Sequence, residues 1–287
     1  MKPPMPWMGG KQALAEILCT LFPLEFEKYV EVFGGGGALL FHKPPEIHTE
    51  IYNDINHLLV NLFRCIREQP EALIAELEYT LNSRLDFFYN RRVLKDDFTI
   101  PDVKMAAKYY QVVQQSYAAG VTSFGGSPRS MWSRFPAIRA ASTRLQNVVI
   151  ENKDFEALFA QQDQPGVLLY FDPPYYEAED CYENAGFTSA DHDRLHGLLA
   201  QAKGFILLSY NHCPQIVELY SRPGFMIYAT SRLSNMAQRF EGGKQYGELI
   251  IGNYDLLLRD RECRQLSLFG DTQSIIDERN VIYNGIH

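Results

Sequence analysis

The sequence predicts an α/β fold. Seven short β-rich runs are spread along the chain, and several are almost wholly apolar. Amphipathic helical patterns separate many of them. Two of the runs end abruptly, one on four glycines and one on a pair of prolines. Continuous apolar strands alternating with helices are the signature of a parallel sheet covered on both faces.

In chain order, "KYVEVF" (28–33) is the first strand, and it runs through Gly34-Gly35-Gly36-Gly37 into a predicted helix. "EIYN" (50–53) is the second, followed by the helix "HLLVNLFRCIREQ" (57–69). Further strands are predicted at "NVVIEN" (147–152), "VLLYF" (167–171), "FILLSY" (205–210), "FMIYAT" (225–230) and "ELIIGNY" (248–254). The helix "SADHDRLHGLLAQA" (189–202) opens on Ser189 as its cap and places Leu195, Leu198 and Leu199 on one face. The alternation breaks between Ser83 and Ser142. There "RLDFFYNRRVLKDDF" and "MAAKYYQVVQQSYAAG" read as helices, and "VTSFGGSPRSMWSRFP" reads as a loop or short hairpin. The predicted organisation is therefore a discontinuous catalytic domain (1–82 and 143–258), a mostly helical insertion (83–142) and a C-terminal tail (259–287).

The chain of 287 residues is 46% hydrophobic and 22% charged, ordinary for a globular protein. No apolar run approaches the roughly 20 residues of a membrane helix, and MKPPMPWMGGK lacks the apolar core of a signal peptide. A cytoplasmic location is expected. The five cysteines are scattered without a CxxC pair, so neither a disulfide framework nor a metal site is expected. The net charge of -8 argues against a polyanion partner, but its distribution does not. From Lys108 to Ile150 there are five cations (Lys108, Arg129, Arg134, Arg139, Arg144) and no acid. A local patch outweighs the sum, because screening acts over about 8 Å at physiological salt. The plainer alternative is a solvated helical face.

Two motifs carry chemistry. In "YVEVFGGGGALLF" the glycines let a backbone turn sharply and approach a ligand, and Asp54 follows at the end of the next strand. An acid there grips ribose hydroxyls in dinucleotide folds, so a nucleoside-type cofactor is indicated. No Lys-Ser or Lys-Thr follows, which excludes a P-loop. The second motif is Asp172-Pro173-Pro174-Tyr175, closing the strand "VLLYF". The prolines make the turn rigid and remove donors. An Asp carboxylate and a prolyl carbonyl both accept hydrogen bonds, so together they hold an exocyclic amine by its two hydrogens while Tyr175 stacks on the ring that bears it. A structural proline turn is the alternative.

Together, "PWMGGK" at the N-terminus, the glycine turn, the insertion and "DPPY", in that order, resemble the DNA N6-adenine methyltransferases of the Dam-like D12 class. "NDIN" (53–56), "NKDFEAL" (152–158), "FTSADHDRL" (187–195), "SYNH" (209–212) and "RLSNMAQRFEGGKQYGELIIGNY" (232–254) resemble further motifs of that class. Val32 departs from it, since the class usually has Pro after the acid. The resemblance implies a class I S-adenosylmethionine-dependent (Rossmann-like) fold with a target-recognition insertion. It implies S-adenosylmethionine as methyl donor, held by Trp7, Lys11, Phe33, Gly34, Gly36, Asp54, Asp154, Phe155 and Asp172. It implies methyl transfer at Asp172, Pro173, Pro174 and Tyr175 to an adenine flipped out of double-stranded DNA. It also places the protein near restriction–modification, on the nucleoid, as a monomer or weak dimer.

Rival readings are weaker. A cytosine-C5 methyltransferase needs a cysteine nucleophile in Pro-Cys, and here the order is Cys213-Pro214. Protein glutamine methylases carry Asn where this chain has Asp172. An RNA methylase and a degenerate protein that only binds nucleic acid are the remaining alternatives; the intact Trp7, Lys11, Asp54 and Asp172 oppose the latter. In the insertion, Ser123, Arg129, Trp132 and Arg134 are the candidate DNA contacts, while Met5, Met8 and His192 are read as structural. In the tail, Gln265-Leu266-Ser267-Leu268-Phe269 resembles the pentapeptide by which bacterial proteins dock on the polymerase sliding clamp; packing against the domain is the alternative.

Overall fold

The computed structural model describes residues 1–287 except 46–48, 96, 127–129, 178, 180–185, 234–244, 267–275 and 287. The helices are α1 (Ala15–Thr20), α2 (Ala38–His42), α3 (His57–Glu68), α4 (Pro70–Glu78), α5 (Arg84–Val93), α6 (Val103–Gln115), α7 (Phe135–Leu145), α8 (Phe155–Gln162), α9 (Ser189–Leu199), α10 (Pro214–Tyr220) and α11 (Leu258–Leu266). The strands are β1 (Lys28–Glu31), β2 (Thr49–Asn53), β3 (Val148–Glu151), β4 (Val167–Phe171), β5 (Phe205–Asn211), β6 (Met226–Leu233), β7 (Gln245–Gly252) and β8 (Val281–Asn284). No helix of the described residues is long and apolar enough to cross a membrane.

The chain folds into two compact units. The first is built mainly on Met1–Gln12 and Gly34–Asp154. Its core is helical: Leu59, Leu62, Phe63 and Ile66 of α3 pack with Leu73 and Leu77 of α4, Tyr110 and Val113 of α6, and Ile138 and Leu145 of α7. Asn56 caps α3 by accepting from the Leu59 amide, and Asp102 caps α6 through the Met105 amide. Met5 is buried in the same core. β2 and β3 pair in parallel, with Tyr52 opposite Ile150 and Asn53 opposite Glu151. Between α6 and α7 the chain makes a one-residue antiparallel bridge, Ser116 to Phe124, then a 3-10 turn over Trp132–Arg134.

The second unit comprises Ala13–Phe33, Phe155–Asp180 and Phe187–His287. Its strands lie in the order β1-β4-β5-β7-β6-β8. β1, β4 and β5 are mutually parallel neighbours, and β4 is buried along its whole length, which explains its purely apolar sequence. The expectation of a parallel sheet fails beyond β5. β7 runs antiparallel to both β5 and β6, and β8 antiparallel to β6. The physical reason is the connection: only residues 234–244 join β6 to β7, too few for a crossover helix of a dozen or more residues. β8 was not foreseen; it arises from "VIYN", within the stretch read as tail. α9 is capped by Thr188 and not by Ser189. Thr188 is the last residue with extended backbone, and both its amide and its hydroxyl donate to Asp191 Oδ2, at 2.7 and 2.8 Å.

Two of the five cations of the acid-free stretch, Arg139 and Arg144, are neutralised from elsewhere in the sequence. Arg139 binds both carboxylate oxygens of Glu71 at 2.7 Å. Arg144 binds both oxygens of Glu50 at 2.5 and 2.7 Å and the Leu40 carbonyl at 2.9 Å. Glu50 also pairs with Lys43, and all three side chains are buried. Arg144→Ala leaves Glu50 its pair with Lys43 but removes two charge-assisted hydrogen bonds from that buried carboxylate and one from the Leu40 carbonyl, so unfolding free energy is expected to fall by about 1.5–3 kcal/mol. Arg139→Ala, which opens a solvated pair, is expected to leave the midpoint almost unmoved. Urea unfolding of both variants checks the contrast.

Candidate active site

In the first unit the glycine turn is shaped by two rings. A Cβ on Gly34 would stand 2.2 Å from the Tyr52 ring, one on Gly35 2.5 Å from Trp7 Nε1, and one on Gly36 2.7 Å from Trp7 Cβ. Gly35 also has φ +48°, a left-handed backbone that side chains resist. The glycines are therefore dictated by the close seating of Trp7 and Tyr52 on bare backbone. Tyr52 is itself stacked on Phe63 with centroids 4.4 Å apart, and its hydroxyl donates to the Gly35 carbonyl at 2.7 Å. Sequence reasoning missed Tyr52; its only signal was position, at the end of the strand before Asp54.

Asp54 completes this turn. Its Oδ2 accepts from the Gly35 amide and its Oδ1 from the Asn56 amide, both at 2.8 Å. Burial pushes the carboxyl up to about 6, against the opposing pull of those two amides. The loop carrying it is braced. Asn152 donates to the Asp54 and Ile55 carbonyls, and His57 sits between Asn152 Oδ1 and the Phe98 carbonyl. Lys11 is buried and donates to the Gly9 carbonyl at 3.1 Å. The donor set suits a ribosyl ligand: a carboxylate offers about four acceptor sites, and the two amides use one on each oxygen. Asp154, at the end of this unit, is exposed.

In the second unit Phe33 meets Phe155 and Phe187 with centroids 5.6 and 5.8 Å away. Phe155 and Phe187 are buried and Phe33 partly so, and the Arg194 guanidinium lies 4.2 Å from the Phe155 ring centre. Phe187 and Arg194 were not singled out from sequence, although both fall inside the quoted "FTSADHDRL".

The Asp172–Tyr175 turn leaves the end of β4 with Pro173 and Pro174 buried. Asp172 Oδ1 accepts from the Ser209 hydroxyl at 2.9 Å, and Ser209 is hydrogen-bonded to Tyr170 Oη at 2.9 Å. Burial raises the Tyr170 phenol well above its ordinary value, and the nearby Asp172 charge adds to this, so Tyr170 stays protonated. The Tyr175 hydroxyl donates to Glu248 of β7 at 2.5 Å. His192, read as structural, binds Tyr210 Oη at 2.6 Å and Glu179 at 2.8 Å. Among the candidate DNA contacts, Ser123, Trp132 and Arg134 are exposed, while Arg129 lies outside the described residues. The loop before them holds Ala118, Ala119 and Val121 at positive φ, which for β-branched Val121 is a true outlier.

The D12 class N6 adenine-specific DNA methyltransferase family matches residues 7–236. The chain belongs to this family. It is 27% identical over 277 residues to the type II methyltransferase M1.LlaDCHI of Lactococcus lactis subsp. cremoris, covering 88% of this chain and 96% of that one. It is 22% identical over 230 residues to the type II methyltransferase M.CviBI of Paramecium bursaria Chlorella virus NC1A, covering 77% and 86%. It is 25% identical over 205 residues to the retron Ec67 DNA adenine methylase of Escherichia coli, covering 67% and 70%. The fold is the class I methyltransferase fold, and the reaction is N6-methylation of adenine in DNA.

Within this D12 methyltransferase the turn geometry makes a direct forecast. Gly35→Ala is expected to displace the Trp7 indole. In a Trp132→Phe background, where Trp7 is the remaining tryptophan, its emission maximum should shift to the red. An unshifted spectrum with a native unfolding midpoint contradicts the contact.

Proposed function

We propose that this D12 methyltransferase uses S-adenosylmethionine to methylate a flipped adenine at a short site in duplex DNA. The observation that carries the reading is the rigid strand-end turn on which Asp172 is oriented by Ser209 and the Tyr175 hydroxyl is held by Glu248. S-adenosylmethionine, when bound, supplies an electrophilic methyl on sulfonium.

The chain's own residues do the rest. The two Asp54 oxygens accept from ribose hydroxyls, with Trp7, Lys11, Gly34 and Gly36 shaping the same subsite. Phe33 and Phe155 supply apolar faces for the cofactor's adenine, and Asp154 a polar edge. Asp172 accepts from the target amine and from the cofactor's amino-acid part, and the Pro173 and Pro174 segment offers carbonyl acceptors without competing donors. The adenine amine is a weak nucleophile because its lone pair is delocalised into the ring. Holding it in line supplies most of the rate, and acceptors that favour the developing ammonium supply more. Tyr175 stacks on the extruded base and offsets part of the unstacking cost of a few kcal/mol.

Exposed Ser123, Trp132 and Arg134, with Arg129, are assigned to the duplex; an arginine there reads a guanine edge or holds a phosphate. A restriction partner and docking of Gln265–Phe269 on a sliding clamp belong to the same proposal. Of that peptide, residues 267–269 lie outside the described residues, and Gln265 and Leu266 end α11.

Two outcomes are expected. Asp172→Ala should retain duplex binding and lose methyl transfer, read by incorporation of labelled methyl into DNA; turnover near that of the wild type would sink the assignment. The second outcome concerns pH. Burial holds the Asp54 carboxyl near 6, and it offers both oxygens as acceptors to a ribose only when ionised. S-adenosylmethionine affinity should therefore hold above pH 7 and fall below 6, toward tenfold per pH unit. The ligand-free fold has the opposite slope, because the folded chain holds this proton more tightly than the unfolded one and loses that advantage as pH rises to 6. Calorimetric titrations from pH 5 to 8 check the first trend. Asp54→Asn should flatten it.

A further inference from the structure

β7 is almost wholly apolar where it is buried, with Leu249, Ile250 and Ile251 fully enclosed, yet Glu248 beside them is only 1% exposed. An enclosed carboxylate costs free energy that another aliphatic side chain would avoid. The β5–β7 register sets Glu248 opposite Asn211. Both residues reach the end of the Asp172–Tyr175 turn. Asn211 Oδ1 accepts from the Tyr176 amide at 3.2 Å, and its Nδ2 donates to the Tyr176 carbonyl at 3.3 Å. Glu248 Oε2 accepts the Tyr175 phenol proton at 2.5 Å. One rung of the antiparallel pair thus holds the backbone of Tyr176 and the side chain of Tyr175.

A tyrosine ring has two side-chain torsions, and a stacked partner restrains only its face. A short, charge-assisted hydrogen bond at the hydroxyl fixes the far end as well. With both ends held, the ring plane is set before any base arrives. We propose that Glu248 is a positioning residue for methyl transfer, acting through Tyr175: it fixes the platform on which the adenine lies, and so the distance of N6 from Asp172. The proposal rests on the assignment of Tyr175 to the extruded base. A misplacement of about 1 Å costs on the order of 100-fold in rate.

The test uses the full chain and a duplex bearing the site that the wild-type protein is found to methylate. Single-turnover methylation is measured for Tyr175→Ala, Tyr175→Phe, Glu248→Gln and the Tyr175→Phe/Glu248→Gln double variant, each corrected for folded fraction. S-adenosylmethionine affinity is measured alongside, and 2-aminopurine fluorescence at the target position reports extrusion. Tyr175→Phe and Glu248→Gln should each slow transfer roughly 10- to 100-fold. Cofactor affinity should stay within about twofold, because a positioning defect falls on the transfer step. The double variant should be no slower than the slower single one, because both act on the same bond: Tyr175→Phe removes it and Glu248→Gln takes away its charge assistance. A slow Tyr175→Ala with a wild-type Tyr175→Phe overturns the role of Glu248 and leaves the stacking role intact. A wild-type rate for Tyr175→Ala overturns the stacking role itself. Losses that multiply in the double variant, or a Glu248→Gln rate that tracks its folded fraction alone, also overturn the proposal.

Discussion

Two aromatic rings lie against backbone that has no side chains, and the first unit is organised around that contact. Trp7 and Tyr52 occupy the space that Cβ atoms of Gly34, Gly35 and Gly36 would need. Tyr52 is fixed in turn by stacking on Phe63 in the helical core and by its bond to the Gly35 carbonyl. The Gly35 amide is thereby aimed at Asp54, and the Asn56 amide approaches the same carboxylate from the start of α3. The helical core, the turn and the acid form one connected set. Of the three glycines, Gly35 bonds the carboxylate directly, and burial holds that carboxylate near a pKa of 6.

The second unit solves a different problem. Its strands carry polar groups to one region and pair them there. Asp172 leans on Ser209, Ser209 on Tyr170, and Tyr175 on Glu248. His192 ties Tyr210 of β5 to Glu179 beyond the turn. Each of these side chains meets a polar partner, as interiors of low dielectric favour. The antiparallel placement of β7 matters here, because it sets Glu248 opposite Asn211. A rigid turn at Pro173-Pro174 would fix the backbone alone; this network also fixes the side chains around it.

Charge shows how a linear count misleads. In one dimension the acid-free stretch from Lys108 to Ile150 reads as a local basic patch. In the fold, Arg139 and Arg144 turn to Glu71 and Glu50, acids from sequence-distant elements. Arg144 serves the interior. Arg134 stays exposed in its 3-10 turn beside Trp132. The same unit carries exposed apolar side chains that the sequence reading passed over, Leu85, Phe88 and Tyr89 on α5 among them.

The strands β1 to β7, the turns that end β1 and β4, and membership of the D12 family are legible in the residues alone. These are local or motif-level properties: apolar runs, glycine where no side chain fits, proline where no donor is wanted. The sequence also marked Asp54 and Asp172, since an acid at a strand end is visible in one dimension. It did not reveal β8, because "VIYN" is short and takes its strand form from pairing with β6. Nor did it reveal the reversed direction of β7, the cap at Thr188, or the roles of Tyr52 and Glu248. Those depend on which residues a register or a packed core brings opposite one another. Glu248 makes the point most clearly: in sequence it is one acid beside an apolar strand, and only the β5–β7 pairing turns it toward the ring of Tyr175.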